Sequence, residues 1–283
     1  MIHNINVHPV NLNLRFPPLL KRCLFCNSND RDCFTEEEHA FPESIGNKRI
    51  ILPPGVVCDN CNGHFSGLEN QFIHSAPMFF YRCFYEERTK KNKWPKSPLP
   101  DGFIEGSRRP HDPMPVVNLT FNSVDREEWA RLIAQVRSNT NEHTLPSIRL
   151  PKDNIQETSR VLAKIALELA YLRFPRLAFS QACDDIRRFA RRPRRNEYLP
   201  YAWSPYLGER FQFEFVEELA AFGISVGMAA HFTMPGARYL VPLTPLGAST
   251  FLTSCAELLG LSVRTEEEAQ KENALRIRLQ IAF

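Results

Sequence analysis

Two hydrophobic periods alternate along this chain, and the places where neither holds separate its parts. Segment 10–16, VNLNLRF, alternates apolar and polar residues as a half-buried strand does, until Pro17 and Pro18 end it. Phe65, Leu68, Phe72, Phe79 and Cys83 recur at helical spacing, with Pro77 suited to the first turn of a second helix. From Thr89 to Pro115 no period survives among prolines and basic residues, which predicts a linker or an extended excursion between domains.

Periodicity returns beyond it. Val117, Leu119 and Phe121 alternate, and Asp125 with Glu128 resembles a capping box ahead of a helix bearing Trp129, Leu132, Ile133 and Val136. Residues 157–174 predict a helix apolar around most of its circumference, with Lys164 and Glu168 on its one polar stripe, hence central to a core. A short basic helix is expected over Cys183–Arg192. Segments 211–215, 239–243 and 275–283 read as strands, with Pro242 favouring an edge position.

Together these elements predict an α+β protein in four parts: an N-terminal strand (1–20), a cysteine-rich module with trailing helices (21–88), a proline- and basic-rich linker (89–116) and a larger α+β domain (117–283). Composition adds bounds. The chain has 283 residues, 43% hydrophobic and 24% charged, enough to bury real cores. No apolar run reaches membrane-spanning length, and the first residues lack a secretory pattern, so a soluble, cytoplasmic protein is expected. A net charge of +3 is too small to imply a polyanionic partner alone.

The eight cysteines change the picture, because four form two C-x-x-C pairs, Cys23/Cys26 and Cys58/Cys61. Two such pairs about thirty residues apart bring four thiolates to one tetrahedral zinc, the usual structural arrangement. A chain of this size without a secretory signal has little need of disulfides, so metal is favoured over cross-links. Cys33 could replace one ligand.

Between and just after the pairs the chain reads Glu38-His39, then Phe41-Pro42, Gly46 and Cys58-Asp59-Asn60-Cys61-Asn62. In its order of elements this segment, Cys23 to Gly67, resembles the HNH endonuclease family, the ββα-metal nucleases, in their zinc-knuckle form. The resemblance implies a small zinc-stabilised ββα-metal module that hydrolyses phosphodiester bonds in DNA and leaves 5′-phosphate and 3′-hydroxyl ends. It implies His39 as general base and a catalytic Mg²⁺ or Mn²⁺ on Glu38 and Asn62, beside the structural Zn²⁺. Those residue types suit the chemistry: an imidazole near its working pKa takes a proton from water, and a hard cation stabilises charge on phosphate and leaving oxygen. Glu37 is the alternative ligand to Glu38 within the acidic run 36–38, and His64 is a reserve. The family's central asparagine has no counterpart in 51–57; Asn47 and Asn60 are the candidates to stand in for it.

Six arginines, Arg187, Arg188, Arg191, Arg192, Arg194 and Arg195, fall within one short stretch and would attract a phosphate backbone. The cluster Lys90, Lys91, Lys93, Trp94 and Lys96 could also touch nucleic acid. No base-reading module accompanies either. The partner expected is nucleic acid, DNA foremost, with no membrane, and a homodimer would suit a double-strand cutter. The other reading is a zinc-knuckle protein that binds nucleic acid or another protein without catalysis.

Overall fold

The computed structural model describes residues 4–9, 21–89, 91–99, 102–108, 116–121, 155–206, 208–219, 225–244 and 248–264. They form a mixed helix-and-sheet protein whose chain divides into two compact units. The first joins residues 1–73 to 154–269, and the second comprises 74–153 and 270–283. This division differs from the one read in the sequence: the cysteine-rich segment shares its unit with the long apolar helix, and the chain leaves for the second unit and returns.

The first unit is built on a six-stranded antiparallel sheet in the order β1-β6-β7-β8-β5-β9. Its strands are β1 (Asn4–Pro9), β5 (Tyr201–Tyr206), β6 (Phe213–Leu219), β7 (Ser225–Met234), β8 (Gly236–Pro242) and β9 (Ser262–Arg264). Successive side chains of a strand point to opposite faces, so the register assigns each face. Val216, opposite Ala229, belongs to the face covered by α5 (Ala248–Leu259), where Ala202, Leu240, Phe251, Leu252, Cys255 and Ala256 close a core. Phe213 and Phe215, opposite Phe232 and Ala230, belong to the other face. There Phe215 meets Phe174, at the end of helix α3 (Ile155–Arg173), and Phe232 meets Phe41 of the cysteine-rich segment.

Helix α3 is buried around its circumference, as its composition predicts: Val161, Leu162, Ala163, Ile165, Ala166, Leu167, Leu169 and Ala170 are all inaccessible to solvent. It packs on β7, on β8, and on α4 (Asp184–Arg191), the short basic helix expected from sequence. Pro242 lies in an interior strand rather than an edge. Its place as the last residue of β8, opposite Ala229, spares the ladder the N–H it lacks.

The second unit corrects the expectation of a linker. Residues 96–99 and 102–107 are strands β2 and β3 and, with β4 (Val116–Phe121), make a three-stranded antiparallel sheet in that order. Pro98 is tolerated because β2 is an edge. Helix α2 (Ala76–Phe84) packs on β3 and β4, with Pro77 in its first turn as expected. The expected strands 10–16 and 275–283 and the helix opening at Asp125 lie outside the described residues. No helix among the described residues is long and apolar enough to cross a membrane.

Candidate metal centre and the adjoining hairpin

Two turns of backbone bring the cysteine pairs together. Leu24 N–H donates to Val56 O (2.7 Å) and Arg22 N–H to Gly55 O (3.1 Å), so the first knuckle lies along the turn entering the second. Gly55 has φ of 91°, and a Cβ there would meet Lys21 Cγ at 3.0 Å, so the turn requires glycine. The second pair opens helix α1 (Asp59–His74), where Cys61 shares the buried face with Phe65, Leu68 and Phe72.

The Sγ atoms of Cys23, Cys26, Cys58 and Cys61 all lie within 4.8 Å of one another, with Cys26 and Cys58 at 3.6 Å. A tetrahedral zinc with Zn–S of about 2.3 Å sets its sulfurs about 3.8 Å apart, so the four thiols could hold a metal such as zinc. Their electrostatics fit a cation. Hydrogen bonding from Cys61 pulls Cys23 down to about 4, while Cys61 is pushed up by that same bond and by burial. Burial and the charge on Cys23 raise Cys58 to about 11. Thiols this close oppose one another's ionisation, and a divalent ion bound among them would relieve that opposition. Cys33 stands apart, directing its thiol to Asp30.

Between the knuckles the chain forms a short antiparallel hairpin. His39 bridges Ile51, Ala40 N–H donates to Ile50 O (3.0 Å) and Leu52 N–H donates to Glu38 O (2.9 Å). Asn47 laces its turn. Buried to 1% exposure, it donates to Phe41 O (2.9 Å) and Ile50 O (3.0 Å) and accepts from the N–H of Arg49 and Ile50. Of the two asparagines read as stand-ins, Asn47 is therefore the one that organises the hairpin, while Asn60 is exposed on α1.

Glu38 and His39, consecutive on the hairpin, meet different surroundings. The Glu38 side chain is 8% exposed and meets Lys164 Nζ at 2.6 Å; its Oε2 is buried without a hydrogen bond. Burial raises its pKa, opposed by Lys164. The His39 side chain is 20% exposed, with Nε2 3.7 Å from Glu37 Oε2 and a buried Nδ1 that makes no hydrogen bond. Asn62 turns its amide nitrogen to Glu37 O (3.4 Å), which brings the opening of α1 against the strand carrying Glu38 and His39. His64 accepts from Arg160 Nη2 (2.9 Å), and burial and that guanidinium hold its pKa below the ordinary value. Among the described residues, the four cysteines alone form a group of three or more His, Cys, Asp or Glu poised to share a metal.

Several organising residues carry no signal in the sequence. Asp59 accepts from the N–H of Thr35 and Glu36 and from Thr35 Oγ1, pulling that loop onto the start of α1; the Glu36 bond chiefly lowers its pKa. Lys164 and Glu168, read as a polar stripe, are wholly buried, and Glu69 of α1 joins them.

The arginine cluster divides. Arg187 is a correction: at 4% exposure it is no surface cation, but donates to Leu24 O (2.7 Å) and Ala178 O (2.6 Å) and pairs with Asp184. Arg188 makes a bidentate pair with Glu197 (2.7 and 2.6 Å), which pulls Glu197 down to about 2. Arg192, Arg194 and Arg195 are exposed and Arg191 partly so. In the second unit, Trp94 is half-buried beneath the Arg88 guanidinium, 3.8 Å from its ring, and Lys96 lies over Phe103. Comparison of the chain with family models, with curated proteins and with solved structures finds no match.

Proposed function

We propose that this protein is a metal-dependent HNH-type endonuclease acting on DNA. The observation that carries the reading is a pair of adjacent residues: Glu38 Oε2 and His39 Nδ1 are both buried and both lack a hydrogen bond. An orphaned carboxylate oxygen suits a hard cation, and an orphaned imidazole nitrogen leaves the ring free to take up a proton from a water on its partly exposed side. The order of parts supports it too: a thiol knuckle, a hairpin laced by a buried asparagine, then a second knuckle opening a helix.

In this reading Glu38 and Asn62 would hold Mg²⁺ or Mn²⁺, which would supply charge stabilisation for the phosphate and the leaving 3′-oxygen. His39, partly open to solvent, accepts the proton of the attacking water, and Glu37 lies near enough to orient its ring. Arg192, Arg194 and Arg195, which are exposed, and the partly exposed Arg191 offer cations to the phosphate backbone; Arg187 and Arg188 serve the fold.

Supercoiled plasmid with purified protein and Mg²⁺ or Mn²⁺ tests this. Nicking is expected, and its loss with EDTA and in His39→Ala; intact plasmid at every metal concentration refutes it. A second reading, binding of nucleic acid without catalysis, is favoured by one observation: Glu38 Oε1 is already engaged by Lys164. Gel retardation that weakens with salt, on plasmid left intact, would establish it.

A further inference from the structure

One buried lysine faces three carboxylates. Lys164, inaccessible to solvent on α3, places Nζ 2.6 Å from Glu38 Oε1, 2.7 Å from Glu69 Oε1 and 3.1 Å from Glu168 Oε2. It also donates to the backbone carbonyl of His39 at 3.1 Å. For stability alone this is a costly device. A buried ion pair rarely improves on apolar packing, and three carboxylates on one ammonium leave negative charge in excess. The electrostatics show the strain: burial and the neighbouring carboxylates push Glu168 well above the carboxylate range against the pull of Lys164.

What this arrangement does achieve is geometric. The same ammonium grips the side chain of Glu38 and the main chain of His39, two consecutive residues of the hairpin. Glu69, from α1, and Glu168, one turn along α3, fix the ammonium in turn. With the Glu38 carboxylate turned so that Oε1 meets Nζ, Oε2 is left over; with the His39 carbonyl held, the backbone from which its ring projects is fixed. We infer that Lys164 is a positioning residue for the Glu38–His39 pair, a clamp through which helix α3 completes the site. The inference rests on the nuclease reading and adds to it a residue more than 120 positions away in sequence.

The test uses the full chain in two forms. A Glu69→Gln/Glu168→Gln double variant keeps Lys164; adding Lys164→Met removes the clamp without stranding the neutralised carboxylates. Both are checked for zinc content and thermal melting, then compared in plasmid nicking and in the NMR signal of the His39 ring. The triple variant should lose about 100-fold in kcat relative to the double, the cost of small misplacement, with KM little changed. A folded, zinc-loaded triple variant whose kcat stays within about threefold of the double overturns the clamp, since a purely structural lysine would leave turnover intact. Should the triple variant fail to fold, Lys164→Arg keeps the charge but displaces its donors, and about a tenfold fall in kcat is expected; undiminished turnover overturns the inference. If the wild-type protein does not nick, the nuclease reading fails by itself. The ring signal then decides the clamp: a shift or broadening on loss of Lys164 supports it, and an unchanged signal overturns it.

Discussion

The thiols of Cys23, Cys26, Cys58 and Cys61 show how much one residue can decide in this chain. The knuckles already touch through Phe25 and Phe65, whose rings lie 4.4 Å apart, and a metal on the four thiols would add a second tie between them. Removing one ligand leaves three thiols that still repel one another when ionised. Cys58→Ser should therefore lower bound zinc well below one per chain and reduce stability by several kcal/mol, since the binding free energy of a structural zinc is folding free energy. Zinc release measured against protein concentration checks this, and full zinc retention would show that the ligand set is different. These four residues were legible because a duplicated spacing is a local pattern. Asn47 was legible only as one of two candidates, because what distinguishes it from Asn60 is burial: its four hydrogen bonds are all to a hairpin turn whose shape no spacing announces.

Elements were legible in proportion to how strictly their periods held. Helix α3 declared itself by an apolar circumference, and β6 by alternation. What periodicity could not supply was the partner of the one polar stripe on α3. A Lys–Glu pair four residues apart ordinarily marks a solvated face, and the partner that buries it, Glu38, lies 126 positions away. The stretch read as a linker failed differently: β2 is four residues long and holds a lysine and a proline, and β3 carries glycines at its first and fifth positions, so neither shows a period. Their register against α2 depends on a close approach at Gly106, where a Cβ would stand 2.8 Å from Trp94 Cε3 and 3.0 Å from Cys83 Sγ. Gly106→Ala must displace a ring that Arg88 already covers, and overpacking of this kind costs about 1–3 kcal/mol. Urea unfolding of the variant should show that loss; stability equal to wild type would mean that the ring yields freely.

At the scale of the whole molecule, the sequence divides more neatly than the structure does. Composition separates a cysteine-rich module from a larger domain, but contacts join residues 1–73 to 154–269. The joining groups are charged and therefore invisible to hydrophobic patterning. Arg187 reaches the Leu24 carbonyl inside the first knuckle, Lys164 reaches Glu38 and His39, and Arg160 reaches His64. Apolar contact adds to them, since Phe41 packs on Phe211 and Phe232 at ring separations of 5.3 and 5.7 Å. A fragment covering residues 21–88 would keep its four thiols but expose Phe41 and leave Glu38 and Glu69 without their cation. Two parts of the module should then respond differently to excision. The knuckles, whose ligands are local, should still take up zinc. The hairpin should lose its order, because its sequence-distant supports are gone. Hydrogen exchange distinguishes the two: the amides of Ala40 and Leu52, bonded to Ile50 O and Glu38 O, should be protected in the full chain and exchange freely in the zinc-loaded fragment. Equal protection in both would show that the module stands by itself, and that the lysine and arginines reaching into it from α3 and α4 brace a hairpin that zinc and Asn47 already hold.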